Sequence, residues 1–240
     1  MKIKTPEIIS QAESYDGIRA GLVALDEVLK GPSYRAAREG SAPMGQLDER
    51  RGVDWPPEAR TVLVLGLHHP ETESRLDWWE RGDTWGNRRL RKISAFLKEW
   101  LREACGMGAH PLPYHLEKGG IFLKDAAVMS GIGIIGRNNL LLHPEWGPRV
   151  RLRSLLLEGD WQPTQPLQGF SPCDGCAVYC QEACPVNAFP TGRYRRPVCL
   201  RQMEADVANR QRLGKGEEDG KRDFVIKYCR ACELSCPVGA

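Results

Sequence analysis

Eight cysteines lie between Cys173 and Cys236, and their spacing is the most chemically specific feature of the sequence. They read Cys173-x2-Cys176-x3-Cys180-x3-Cys184-Pro185, then Cys199, then Cys229-x2-Cys232-x3-Cys236-Pro237. Thiolates this close on tight turns can reach different irons of one compact cubane. In two-cluster ferredoxins the Cys before Pro is the ligand that crosses to the other cluster. That rule predicts one [4Fe–4S] site from Cys173, Cys176, Cys180 and Cys236, and a second from Cys184, Cys199, Cys229 and Cys232. Each set closes at four ligands, with none left over. The spacer Ala177-Val178-Tyr179 is one residue longer than the usual two, an insertion that a loop absorbs. The competing reading is a pair of structural zinc sites with four cysteines each, because paired C-x-x-C knuckles also build zinc ribbons. Both runs here continue into C-x3-C-P, which the two-knuckle ribbon does not. Cys105, the ninth, follows an amphipathic stretch and reads as a small buried hydrophobe.

The elements that must position these thiols belong to a chain of 240 residues, 41% hydrophobic and 27% charged. That composition describes a folded globular protein of one or two domains and argues against general disorder. A net charge of +3 and a pI near 8.4 do not by themselves mark a nucleic-acid binder. Nine cysteines, an odd number, argue against a fully paired disulfide framework. No apolar run of signal-peptide length follows Met1-Lys2-Ile3-Lys4-Thr5-Pro6. The longest mostly apolar stretch, Ala126 to Gly136, has 11 residues, short of the roughly 20 needed to span a bilayer. The expected setting is the reducing cytoplasm, without a membrane partner, where clustered cysteines more often hold metal than form disulfides.

The cysteine skew places a domain boundary at 165/166, dividing the chain into 1–165 and 166–240. Residues 158–172, with three prolines and two glycines, read as a linker. Upstream, Thr5-Pro6-Glu7 predicts an N-cap and a helix to about Tyr15. Thr61 to Gly66 predicts a buried strand. Leu90, Ile93, Phe96, Leu97, Trp100, Leu101 and Ala104 recur at helical spacing, which predicts an amphipathic helix over 87–104. A further helix over 120–130 and a strand over 149–157 complete an α+β reading. Gly131-x-Gly133-x-x-Gly136 fits the dinucleotide fingerprint formally, but a helical pattern precedes it where the fingerprint needs a strand. A tight glycine turn is the alternative. His68-His69-Pro70 reads as a loop feature at a strand end, and Trp78, Trp79 and Trp85 around Asp83 as packing. The charged run Asn209 to Asp223 reads as a solvated helix or loop.

The cysteine order, the segment from Gly131 to Arg137 and the stretch His143-Pro-Glu-Trp-Gly-Pro-Arg-Val-Arg151 together resemble the epoxyqueuosine reductase and reductive dehalogenase superfamily. The resemblance is close from Tyr114 onward and loose before it. It implies a nitroreductase-like, cobalamin-binding N-terminal domain followed by a two-[4Fe–4S] ferredoxin-like module. The clusters would take single electrons from a low-potential donor of ferredoxin or flavodoxin type and pass them to cobalt, for reduction of a small-molecule or protein-bound substrate. Lys124, Asp125, Gly131, Gly133, Gly136, Arg137 and Asn138 would contact the corrin. An acid must supply a proton, and Glu117 is the first candidate, with Tyr114 and His115 beside it. The sequence departs from the family's Asp-x-x-Pro-x-x-Glu stretch, offering Glu117, Gly120 and Leu123 at those places. It also shows no helical-repeat domain after Cys236-Pro237, so tRNA is not the expected partner. An electron-transfer protein without its own substrate and a tail-less epoxyqueuosine reductase are the alternatives. Substrate and oligomeric state stay open at this level.

Overall fold

A computed structural model describes residues 4–39, 55–213 and 224–239. In chain order the helices and strands are α1 (Thr5–Glu13), β1 (Ile18–Ala24), α2 (Leu25–Leu29), α3 (Pro32–Arg38), β2 (Ala59–His68), β3 (Trp79–Glu80), β4 (Asp83–Thr84) and α4 (Trp85–Cys105). There follow β5 (Ala109–Pro111), α5 (Leu123–Met129), β6 (Ile134–Ile135), β7 (Leu141–Leu142) and β8 (Val150–Glu158). The last are α6 (Tyr179–Glu182), α7 (Arg196–Ala208), β9 (Gln211–Arg212), β10 (Phe224–Ile226) and α8 (Ala231–Leu234). The chain is mixed α/β and divides into two compact units. The first comprises Met1–His68, Leu90–Ile134 and Val150–Phe170; the second comprises His69–Arg89, Ile135–Arg149 and Ser171–Ala240. A single cut at 165/166 therefore differs from the observed division, because the second unit also draws in two earlier segments.

In the first unit an antiparallel sheet runs β1-β2-β8-β5. Its register sets Leu22 opposite Leu63, and Leu63 opposite Leu155. Leu63, Leu65 and Leu67 pack with Ile8 and Ala12 of α1 and Leu90, Leu97 and Leu101 of α4. The alternate residues Val62 and Val64 are also fully buried, on the face that meets α2 and α5. Burial of both faces explains why β2 reads as a continuous apolar run rather than an alternating one. Each fully buried Leu contributes about 1.5–3 kcal/mol.

Several local expectations shift by a few residues. The α1 cap position is Lys4, whose N–H donates to the Glu7 carboxylate at 2.6 Å, while the Thr5 hydroxyl donates to the Gln162 carbonyl. On α4 the buried stripe is Leu90, Ile93, Leu97 and Leu101, and Phe96 is 61% exposed. One residue from Leu97 is about 100° around the helix, so Phe96 points off the stripe. The helix expected over 120–130 begins only at Leu123. Residues 158–170 are no free linker. Trp161 N–H donates to Thr61 Oγ1 at 3.1 Å, and Thr164 N–H donates to the Leu22 carbonyl at 2.9 Å. Prolines bar this segment from a sheet interior, but its remaining amides still pair with neighbouring strands.

The second unit has a small sheet ordered β4-β3-β10-β9 and the short helices α6 and α8, which pack together. The sequence reading missed β10, a three-residue strand too short for a periodicity to register. α7 buries none of its residues. Of the charged run 209–223, Gln211–Arg212 form β9, and 214–223 lie outside the described residues.

Candidate metal centre

The second unit contains a shallow open recess lined by Cys173, Cys176, Cys180 and Cys236, with Arg137 and Asn138 beside them. Tight turns bring the first thiols together: Cys176 N–H donates to the Cys173 carbonyl at 3.4 Å. The extra spacer residue is taken up by Val178, which caps α6 in the left-handed region at φ 55° and ψ 35°. A β-branched residue is strained there. The Cys180 thiol is pushed up by burial and by Cys236, Cys173 and Cys176 around it. Arg137 N–H donates to Cys173 Sγ at 3.5 Å.

The other four cysteines are near enough to influence one another, although among the described residues no three Cys, His, Asp or Glu side chains converge on a single ion-sized point. Burial pushes the Cys232 thiol up to about 12, reinforced by Cys229, Cys199 and Cys184. Cys229 is raised for the same reasons, by burial first and then by Asp206, Cys184 and Cys199. The Cys229 N–H donates to Asp206 Oδ2 of α7 at 2.7 Å, and Cys184 Sγ accepts the Ala188 N–H at 3.2 Å. Raised thiols stay protonated without metal, so loading either group releases protons.

Two supports behind these loops carry most of the geometry. Residues 143–149 form a receptacle for the segment after Cys236. His143 Nδ1 accepts the Glu145 and Trp146 amides at 3.1 and 3.3 Å, and its ring stacks on Trp146 at 4.2 Å. Buried Arg149 donates to the Val238 and Gly239 carbonyls at 3.2 and 3.3 Å. At Gly147, with φ +57°, an added Cβ would lie 1.8 Å from the Val238 carbonyl oxygen. No other residue type fits so close an approach. The second support is a buried charge group around Arg230, inside the Cys229–Cys232 knuckle. Arg230 pairs with Asp77 at 2.6 Å and with Glu233, and Asp77 reaches His69 Nδ1 at 2.9 Å. His69, read from the sequence as a loop feature, is 4% exposed. The one sequence signal for this group was a charged residue at the centre of a Cys-x-x-Cys knuckle.

The remaining nominated residues divide between the units. Tyr114, His115, Glu117, Lys124, Asp125, Gly131 and Gly133 belong to the first, and Gly136, Arg137 and Asn138 to the second. Tyr114 is 55% exposed, with the Arg153 guanidinium 5.9 Å from its ring centre. His115 Nδ1 lies 3.6 Å from Glu117 Oε1, and both side chains are more than half exposed. Burial lowers the Lys124 pKa. Asp125 accepts the Ser33 N–H at 2.8 Å and the Ser33 hydroxyl at 2.9 Å, so its carboxylate holds the start of α3. At Gly131, φ is +79° and an added Cβ would lie 2.2 Å from the Gln165 carbonyl oxygen. A helix precedes this turn and a two-residue strand follows it, opposite to the order a dinucleotide site needs. Asn138 is buried, accepts the Leu140 N–H and donates to the Cys232 carbonyl at 3.2 Å. Arg137 and Asn138 thus border the cysteine groups. Cys105, partly buried beside the core, donates its S–H to the Leu101 carbonyl.

No family model matches the chain. Over 95% of its length it is 25% identical to an epoxyqueuosine reductase of Lactococcus garvieae (strain Lg2), covering 64% of that protein. A tetrachloroethene reductive dehalogenase of Dehalobacter restrictus (strain DSM 9455 / PER-K23) is 27% identical over 55% of this chain and 22% of its own. Its relatives are the epoxyqueuosine reductases and the reductive dehalogenases. A crystal structure of an epoxyqueuosine reductase with an epoxyqueuosine-modified tRNA stem loop superposes with a TM-score of 0.67 at 18% identity, over 98% of this chain and 64% of that one. That likeness establishes a shared fold. The chain spans about half to two thirds of the length of the epoxyqueuosine reductases that align with most of it. Among the described residues no helix is long and apolar enough to cross a membrane.

Proposed function

We propose that this chain is an iron–sulfur reductase that relays single electrons through two [4Fe–4S] clusters to a corrinoid for reduction of a substrate. The observation that carries the proposal is the grouping of eight thiols into two sets of four, one of them around an open recess. Four soft thiolate donors per set suit an iron–sulfur cluster. In this reading Cys173, Cys176, Cys180 and Cys236 hold one cluster, and Cys184, Cys199, Cys229 and Cys232 the other. The module is ferredoxin-like and the first unit nitroreductase-like. The N–H groups of Arg137 and Ala188 donate to Cys173 Sγ and Cys184 Sγ, and with clusters bound there they would favour the more negative reduced state.

The corrinoid rests on the relatives, because Asp125 and Asn138, both nominated to hold it, already have other partners. When bound, it supplies the reductive chemistry, and the protein supplies electrons and a proton. Glu117 is the proposed acid, with His115, 3.6 Å away, and Tyr114 as the neighbouring alternatives. A low-potential ferredoxin or flavodoxin is the proposed donor.

Anaerobic purification followed by iron, sulfide and corrin analysis tests this reading. We expect a brown protein with about eight iron and eight sulfide per chain, binding one corrin. A colourless zinc protein overturns the cluster assignment. Two clusters without any corrin affinity overturn the reductase reading in favour of an electron carrier. A second reading, reduction of epoxyqueuosine in tRNA, is favoured by the shared fold with the stem-loop complex. It weighs against the expectation that tRNA is no partner, and turnover of an epoxyqueuosine-modified stem loop tests it.

A further inference from the structure

Two short covalent tethers join the cysteine sets: Cys180 to Cys184 through α6, and Cys232 to Cys236 through α8. Each tether is a single helical turn flanked by bends. The two turns also pack against each other, so the tethers set the spacing of the groups along α6 and α8.

A third connection runs through residues outside both cysteine runs. Arg137 N–H donates to Cys173 Sγ at 3.5 Å, in the first set. The next residue, Asn138, lines the recess of that set, and its Nδ2 donates to the Cys232 carbonyl, in the second set, at 3.2 Å. Asn138 is only 3% exposed, and its Oδ1 is fixed by the Leu140 N–H at 3.1 Å. The amide is thus held at both ends, with its orientation set by a donor on one side and an acceptor on the other. Gly136 leaves room for it: a Cβ there would fall 2.8 Å from Asn138 Oδ1.

We propose that Asn138 is a positioning residue that fixes the separation and orientation of the two clusters, with Arg137–Asn138 as a bridge between a ligand of one and a ligand of the other. This deepens the two-cluster reading and rests on it. The bridge runs from Cys173 Sγ through the Arg137 amide and the Asn138 side chain to the Cys232 carbonyl. It contains two hydrogen bonds and no flexible side chain longer than Asn. Its loss leaves all eight thiols and both tethers in place but removes the side-chain contact between the two sets.

The test uses the full chain, reconstituted anaerobically, with Asn138→Asp and Asn138→Leu. Asp keeps the shape and the Leu140 acceptor while losing the donor; Leu keeps the approximate volume while losing both. Iron and sulfide content, the two midpoint potentials and the electron paramagnetic resonance of the dithionite-reduced protein are measured. Expected is wild-type iron content in both variants, a shifted potential for one cluster and a changed or lost magnetic splitting between the two. Unchanged splitting and potentials in variants that keep both clusters overturn the inference alone. Iron falling by half in both variants, with the remaining potential unmoved, also overturns it, because Asn138 would then serve only to hold the Cys232 loop. A wild-type protein with fewer than two clusters overturns the two-cluster reading and this inference with it.

Discussion

The two units hold their shape by different means. The first is organised around a sheet buried on both faces, where Leu63, Leu65, Leu155 and Leu157 have no exposed surface. The second has short strands, a 13-residue helix without a buried residue, and few buried apolar side chains such as Phe189 and Val225. In place of an apolar core it has a buried charge group at Arg230, a glycine pressed against the Val238 carbonyl and eight cysteines of which Cys180 and Cys236 are buried. A domain that lacks apolar burial needs another source of folding free energy, and metal binding is one. The difference teaches that the clusters proposed for the cysteine unit would be part of its fold, whereas the sheet unit has an apolar core of its own.

The largest expected effect follows directly. Stripping iron with a chelator under anaerobic conditions should abolish amide protection in α6, α7 and α8 while β1, β2 and β8 stay protected, as read by hydrogen exchange. Equal protection before and after removal would show that the cysteine unit folds unaided. Next, Leu63→Ala should cost about 2–5 kcal/mol through the cavity it leaves in the sheet core. Urea unfolding should report that loss, with iron per folded chain unchanged. Gly147→Ala should cost about 2 kcal/mol, because its positive φ and the nearby Val238 carbonyl both oppose a side chain. Unlike Leu63→Ala it should also lower iron content, since Cys236 precedes the displaced segment. The smallest effect has the opposite sign. Val178→Gly relieves a left-handed β-branched residue worth about 1–2 kcal/mol, offset by about 0.5–1 kcal/mol of added unfolded-chain entropy. A small rise in the melting temperature of the loaded protein is expected, and a fall would show that the Val178 side chain matters more than its strain.

Half of the sheet, β2 and β8, and the long helix α4 were legible because burial leaves a periodic trace, whereas β1 and β5 were not read from the sequence. β2 reads as an apolar run because both its faces are covered, and α4 as a stripe because one of its faces is. The proposed cysteine sets rest on a different signal: ligand chemistry restricts spacing so strongly that a crossing rule suffices to propose them. The supports behind those thiols were hidden. His69, Asp77, Arg230 and Glu233 come from segments about 160 residues apart, and an ion group leaves no periodicity. Asn138 and Asp125 were singled out as ligand contacts because they are polar residues near a glycine turn. Their partners turned out to be backbone and a serine hydroxyl, which no local pattern announces. The small strand β10 was missed because its stability comes from its neighbours β3 and β9 rather than from its three residues.

Each thiol group gathers residues far apart in the chain, Cys173 with Cys236 across 63 positions and Cys184 with Cys232 across 48. A cluster bound there would act as a crosslink, closing a long loop as a disulfide does. The entropy of closing such a loop changes only with the logarithm of its length. Insertions between Cys199 and Cys229 should therefore be tolerated with little loss of stability. The three-residue spacers Cys180–Cys184 and Cys232–Cys236 have no such latitude, because each fixes the step between one crosslink and the next.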